Sequence, residues 1–166
     1  MRILLILTCL ANVAFAFGSL SWMPNPMANH FDLDGTPNGF MSPAKSALVM
    51  SIFCVLGGGI CLGISLLTPI IPTECINMPN RDHWLNEENR PKTIRRIRSY
   101  TELIGIGTML FFLLLQWEVF QANQTVPPKL LGSNAWFGYG VLLVVLTIET
   151  VRFYFTFRLP KEKSQL

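Results

Sequence analysis

Charge is scarce in this 166-residue chain: Asp, Glu, Lys and Arg together make up 14% of it, where a soluble domain carries about 25%. Histidine occurs only twice, at positions 30 and 83. The four cysteines form no C-x-x-C pair and have no cysteine–histidine spacing suited to zinc, which excludes a disulfide framework or a zinc module. There is no H-E-x-x-H, P-loop, G-x-S-x-G or dinucleotide fingerprint, so the common hydrolase, nucleotide and redox chemistries have no local signature. Internal repeats, low-complexity tracts and the ten-residue alternation of a membrane β-barrel are also missing.

What the chain has instead is apolar length, with 51% hydrophobic residues and a mean hydropathy of +0.41. A helix needs about 20 mainly apolar residues to cross a bilayer. Four runs qualify: 3–20, 46–71, 100–121 and 135–157. Lysine and arginine are retained on the cytoplasmic side of short loops. With the N-terminus inside, eleven of the 13 lie on that side and only Lys45 and Lys129 lie outside, so both termini are expected in the cytoplasm of a cell-membrane protein. Arg2, the first apolar run and Ala14-Phe15-Ala16 also resemble a signal peptide cleaved before Phe17. Against that, the basic region is a single arginine and the run continues to Leu20; either reading places residues 21–45 outside.

The outer segment 21–45 is expected to be turn-rich rather than helical. Asp34-Gly35 and Asn38-Gly39 accept turn conformations, and His30 to Asp34 can form a short extended arm between them. On a strand, His30, Asp32 and Asp34 would share one face. Three ligands are too few for a tight cation site, and the D-x-D-G fragment lacks the rest of an EF-hand loop, so no metal and no cofactor are expected. The plainer alternative has His30 and Phe31 packing on helix ends while the aspartates initiate turns. Trp22 suits the headgroup level and Lys45 can snorkel at the start of the second span.

The order Met23-Pro24, Pro26, His30-Phe31, Gly35, Pro37, Gly39-Phe40, Ser42 and Lys45, set between two apolar spans, resembles the bacterial membrane domain of unknown function at the front of SdpI-type immunity proteins. The resemblance covers roughly residues 1–65. It implies a two-helix membrane unit with a structured outer loop, and it marks His30, Phe31, Asp32, Asp34, Gly35, Pro37 and Lys45 as the outer motif. The further membrane domain of SdpI-type proteins is not expected in what remains of the chain.

Residues 72–99 form a basic inner loop in which Lys92, Arg95, Arg96 and Arg98 crowd the approach to the third span. Such a cluster anchors topology and attracts anionic headgroups. It is too short and too close to the membrane for nucleic-acid binding. Asn80, Arg81, Trp84, Arg95, Arg96 and Arg98 are the candidate inner contacts with lipid or a protein partner. Pro79-Asn80-Arg81-Asp82 reads as a turn, 82–89 as a short surface helix, and Pro91 as the first turn of the third helix. Within the spans, Gly59 and Gly63 stand in G-x-x-x-G register, a pattern for close helix contact. Glu149 and Arg152, three apart, are expected to form an intramembrane pair. Asn123-Gln124-Thr125 is a formal glycosylation sequon that is expected to be idle.

The expected protein is therefore all-α, an integral membrane four-helix bundle. It comprises a two-helix N-terminal unit (1–71), a basic cytoplasmic loop (72–99) and a second helix pair with a cytoplasmic tail (100–166). A binding or regulatory module for envelope sensing or immunity is the leading expectation, a small transporter or channel subunit the alternative. An enzyme is not expected, because His-x-Asp-x-Asp alone supplies no nucleophile, base and oxyanion donors together.

Overall fold

The computed structural model describes residues 1–130 and 132–158. Lys161 and Lys163, counted above on the inner side, lie outside the described residues. The chain forms α1 (Arg2–Gly18), a hairpin of β1 (Met27–Phe31) and β2 (Pro37–Met41), α2 (Pro43–Leu67), the short α3 (Arg81–Trp84), α4 (Arg90–Ala122) and α5 (Gly132–Thr156). Four of these helices are long and apolar enough to cross a membrane. Large apolar side chains such as Leu7, Leu10, Ile60 and Leu143 are more than half exposed on the chain alone. Such a surface is what lipid covers and water would not.

Local chemistry sets the helix ends. Ser42 caps α2, its Oγ accepting from the Lys45 N–H at 3.4 Å, with Pro43 in the first turn. Pro91 plays the same part for α4, which starts at Arg90. At 1.5 Å per residue its 33 residues reach about 50 Å. That exceeds the hydrocarbon layer, so the first turns of α4 lie within the basic segment ahead of the third span, as Pro91 in the first turn of that helix led one to expect. Helix α3 is confined to four residues within the expected 82–89 region and its flank.

Helices α1, α2 and α4 pack mutually, while α5 leans mainly on α4. Their shared core is Leu5, Cys54, Ile106 and Met109. In lipid, small residues rather than hydrophobic force bring helices together. The small residues that do so lie outside the G-x-x-x-G register. Gly58 faces Cys9 and Met109, and Gly105 faces Cys61 and Leu5, where an added Cβ would sit 2.9 Å from both side chains. Gly59 and Gly63 have nothing within 4 Å of an added Cβ, so the G-x-x-x-G register lies on an open helix face.

Buried polar groups tie the same three helices. Asn12, fully buried, donates from Nδ2 to the Thr8 carbonyl at 2.8 Å and the Met109 carbonyl at 2.9 Å, while its Oδ1 accepts from Gln116 Nε2 at 2.7 Å. Glu102 on α4 is 6% exposed; its Oε1 accepts from Arg2 Nε at 2.9 Å and from Ser65 Oγ at 2.5 Å.

Replacing Gly105 by valine should overpack the α1–α2–α4 contact and lower stability by about 1–3 kcal/mol. Gly63→Ala should leave the thermal midpoint in detergent unchanged or slightly raised; equal losses for the two would contradict this assignment of the interface.

Candidate functional site

The most built feature outside the helices is the hairpin. Residues 32–36 turn it: the Asp32 N–H donates to the Thr36 carbonyl at 2.8 Å and the Gly35 N–H to the Asp32 carbonyl at 2.9 Å. Asp34 Oδ1 accepts from the Thr36 N–H at 2.9 Å, and the bonds from Thr36 hold its carboxyl below the usual carboxylate range. Gly35 sits at φ +82°, a conformation that suits glycine, and its carbonyl accepts from the Leu130 N–H at 3.0 Å. The tip is therefore pinned to the segment that follows α4.

The base of the hairpin is gripped from the end of α4. Asn123 accepts at Oδ1 from the Ala28 N–H and donates from Nδ2 to the Ala28 carbonyl, both at 2.8 Å, and Nδ2 also reaches the Val119 carbonyl at 2.8 Å. Ala28 and Asn123 are both buried. The first residue of the formal sequon is thus occupied inside the fold.

The strands pair antiparallel with Met27 opposite Met41, Ala28 opposite Phe40, His30 opposite Gly39 and Phe31 opposite Pro37. Register irregularities on either side of His30 let Asn38 meet residues beyond its direct partner. Its Oδ1 accepts from His30 Nδ1 and its Nδ2 donates to Asp32 Oδ1. This network assigns the proton to Nδ1 and leaves Nε2 as the acceptor nitrogen of His30.

The expected single face of His30, Asp32 and Asp34 does not form. β1 stops at Phe31, because Asp32-Leu33-Asp34-Gly35 carries stronger turn chemistry than strand preference. Asn38-Gly39, read above as a second turn, lies within β2. Pro37 opens that strand, where a missing N–H is tolerated. His30 is exposed and bonded to Asn38 instead of packing on helix ends; Phe31 is half-buried, and Lys45 is exposed in the first turn of α2. Below the hairpin, α1, α2, α4 and both strands line a half-open cavity of about 150 Å³.

At the opposite end of the bundle, Asn80, in the left-handed region at φ 52°, and Trp84 both donate to the Phe157 carbonyl, at 2.9 and 2.8 Å. Their side chains staple the loop to the end of α5, and the Trp84 and Phe157 rings meet edge-on at 5.6 Å. Arg90 donates to the Ile71 carbonyl at 2.9 Å beyond the C-terminus of α2. Arg81 is exposed beside Asp82 at 3.3 Å, an ion pair of little energetic worth. Arg95 and Arg96 are exposed and share a cavity of about 370 Å³ with Ser99, Glu149 and Arg152. Arg152 donates to Glu149 at 2.6 Å, so the expected pair forms, at this basic end of α5. Arg98 buries its Nε without a hydrogen-bond partner among the described residues.

Residues 3–55 match DUF1648, a domain of unknown function. The DUF1648 segment takes in most of α1, the whole hairpin and the first half of α2. No curated protein and no solved structure matches the chain. The grip on the DUF1648 hairpin comes from outside that segment, through Asn123 and Leu130. Sequence reasoning passed over Asn123, Asn38, Asn12 and Gln116, although an amide inside or beside an apolar run is itself a sign of a helix-to-helix bond.

Gly35→Ala would force a left-handed backbone on alanine and bring its Cβ within 2.6 Å of the Leu130 carbonyl oxygen. The expected result is a hairpin weakened by about 1–3 kcal/mol, read as faster chymotryptic cleavage at Phe31 and Leu33 with the helices still protected. Unchanged cleavage would show that the tip is not pinned in this way.

Proposed function

We propose that the chain is a multi-pass membrane binding or regulatory module of the cell membrane, with both termini cytoplasmic. Its extracytoplasmic hairpin receives an external protein or peptide partner, and its basic inner end meets anionic lipid and a cytoplasmic partner. The observation that carries this reading is the continuity of α4, which begins in the basic inner segment and ends on Asn123, the residue gripping the hairpin base. A shift of the hairpin is thereby a shift of the end of a rigid rod whose other end lies in the cytoplasm.

Three further observations support it. The bias of lysine and arginine puts the Asn80–Arg98 end inside. The DUF1648 match and the resemblance to SdpI-type immunity proteins both centre on the segment holding the hairpin. Exposed Arg95 and Arg96 suit phosphate-bearing headgroups at the inner surface. The Glu149–Arg152 pair lies in that same basic surface, which favours a headgroup-facing role over an ion pathway. The His30–Asn38–Asp32 chain presents a polar, orientable edge for recognition.

The test is a survival assay under envelope stress or peptide-toxin challenge, comparing cells that lack the protein with cells carrying it. His30→Ala combined with Phe31→Ala should drop protection to the level of the deletion, at unchanged protein abundance in the membrane. Full protection by that variant would contradict the reading.

A further inference from the structure

Four of the seven methionines, Met23, Met27, Met41 and Met50, line the cavity beneath the hairpin. They reach it from separate elements: the end of the 3-10 turn at Leu20–Trp22, the two strands, and α2. Met27 and Met41 are direct cross-strand partners. Side chains so paired stand on one face with Cβ atoms about 4.5–5.5 Å apart, near enough for two thioethers to converge. Met27 is 3% exposed, and the other three are half-buried.

The rest of the lining narrows the chemistry. It holds no charged side chain; its polar groups are side chains such as Asn29, Ser46 and Gln116, and the Gln116 amide is already committed to Asn12. Hard divalent cations need carboxylate or carbonyl oxygens in number, which this lining lacks. Thioethers are soft, neutral ligands that select Cu(I). Methionine also serves as a gap filler in cores, but here the four surround a space of about 150 Å³ that they leave open.

We propose that this cavity is a binding site for Cu(I), held by the thioether sulfurs of Met27 and Met41 with Met23 and Met50 completing the set. No redox step is involved, since the ion enters and leaves as Cu(I). The site deepens the reading of the hairpin as the receiving element, because two of its ligands are hairpin residues and an ion between them and Met50 would couple the hairpin to α2. What binding reports to the cell rests on that reading; the binding itself does not.

The experiment uses the purified full chain in detergent, with 13C-labelled methionine methyl groups, and anaerobic Cu(I) titrated against a chromophoric Cu(I) chelator. One Cu(I) per chain should be retained, with shifts in the methyl signals of Met23, Met27, Met41 and Met50 and none in those of Met1, Met78 and Met109. Met27→Leu with Met41→Leu, which conserves volume, should weaken binding by about tenfold or more, while Cys75→Ser, removing the exposed thiol, should leave it unchanged. Failure to retain Cu(I) overturns the proposal, as does binding that survives the double leucine variant or is lost with Cys75→Ser. Shifts of the four methyls on exchange into a detergent of different chain length, with none on Cu(I), would assign the cavity to an acyl chain and overturn it too. If the leucine variant does not fold, the methyl shifts of the unaltered protein decide. Copper binding by a protein whose survival phenotype ignores His30 and Phe31 would keep the site and remove the receptor reading; the reverse result would do the opposite.

Discussion

A polar side chain inside a lipid-embedded bundle has no water to turn to, so leaving one without a protein partner is costly. Three polar side chains on α4 and at its C-cap are each claimed by a different part of the chain: Glu102 by Arg2 and Ser65, Gln116 by Asn12, Asn123 by Ala28. From Glu102 to Asn123 is a rise of about 30 Å at 1.5 Å per residue, close to the thickness of a hydrocarbon core. The two outer ties therefore stand about one hydrocarbon thickness apart along the helix, with the amide pair between them. Because lipid tails compete equally for apolar contact, packing and these ties, rather than hydrophobic force, fix how α1 and the hairpin sit on α4.

This arrangement explains why the glycines that matter are Gly58 and Gly105. Once Asn12 is bonded to Gln116 and to the Met109 carbonyl, α1 is held against α4 in one register, and Leu5 must lie over Gly105. Cys9 and Met109 close over Gly58 in the same way. A G-x-x-x-G spacing states only that a smooth helix face exists. Which face is used is decided by polar partners on other helices, and these are invisible to a single-span pattern.

The four spans were legible in the sequence because hydropathy and length are properties of each segment alone. The helix start at Pro91 was legible for the same local reason, whereas the start of α2 at Pro43 lies three residues ahead of the span read from Ser46. The hairpin was half legible: Asp34-Gly35 marked its turn, but the spacing of His30, Asp32 and Asp34 suggested a longer strand than the turn allows, and Asn38-Gly39 looked like a turn while serving as a strand. Asn123 was read only as the start of a sequon. Its role depends on a residue 95 positions away, and no local pattern carries that. The four methionines escaped notice for the same reason, since only the fold gathers them.

In the reading proposed above, the hairpin and the inner segment are the two places where this chain meets something other than lipid, and α4 joins them. That account stands or falls on the grip of Asn123. Hydrogen–deuterium exchange of the Asn123→Ala protein in lipid nanodiscs tests it most directly, because a buried donor and acceptor left unpaired cost about 1–3 kcal/mol each. Exchange in the hairpin peptides covering residues 27–41 should accelerate by about tenfold or more, while α1, α2 and the body of α4 keep their protection. Hairpin exchange equal to that of the unaltered protein would contradict the account.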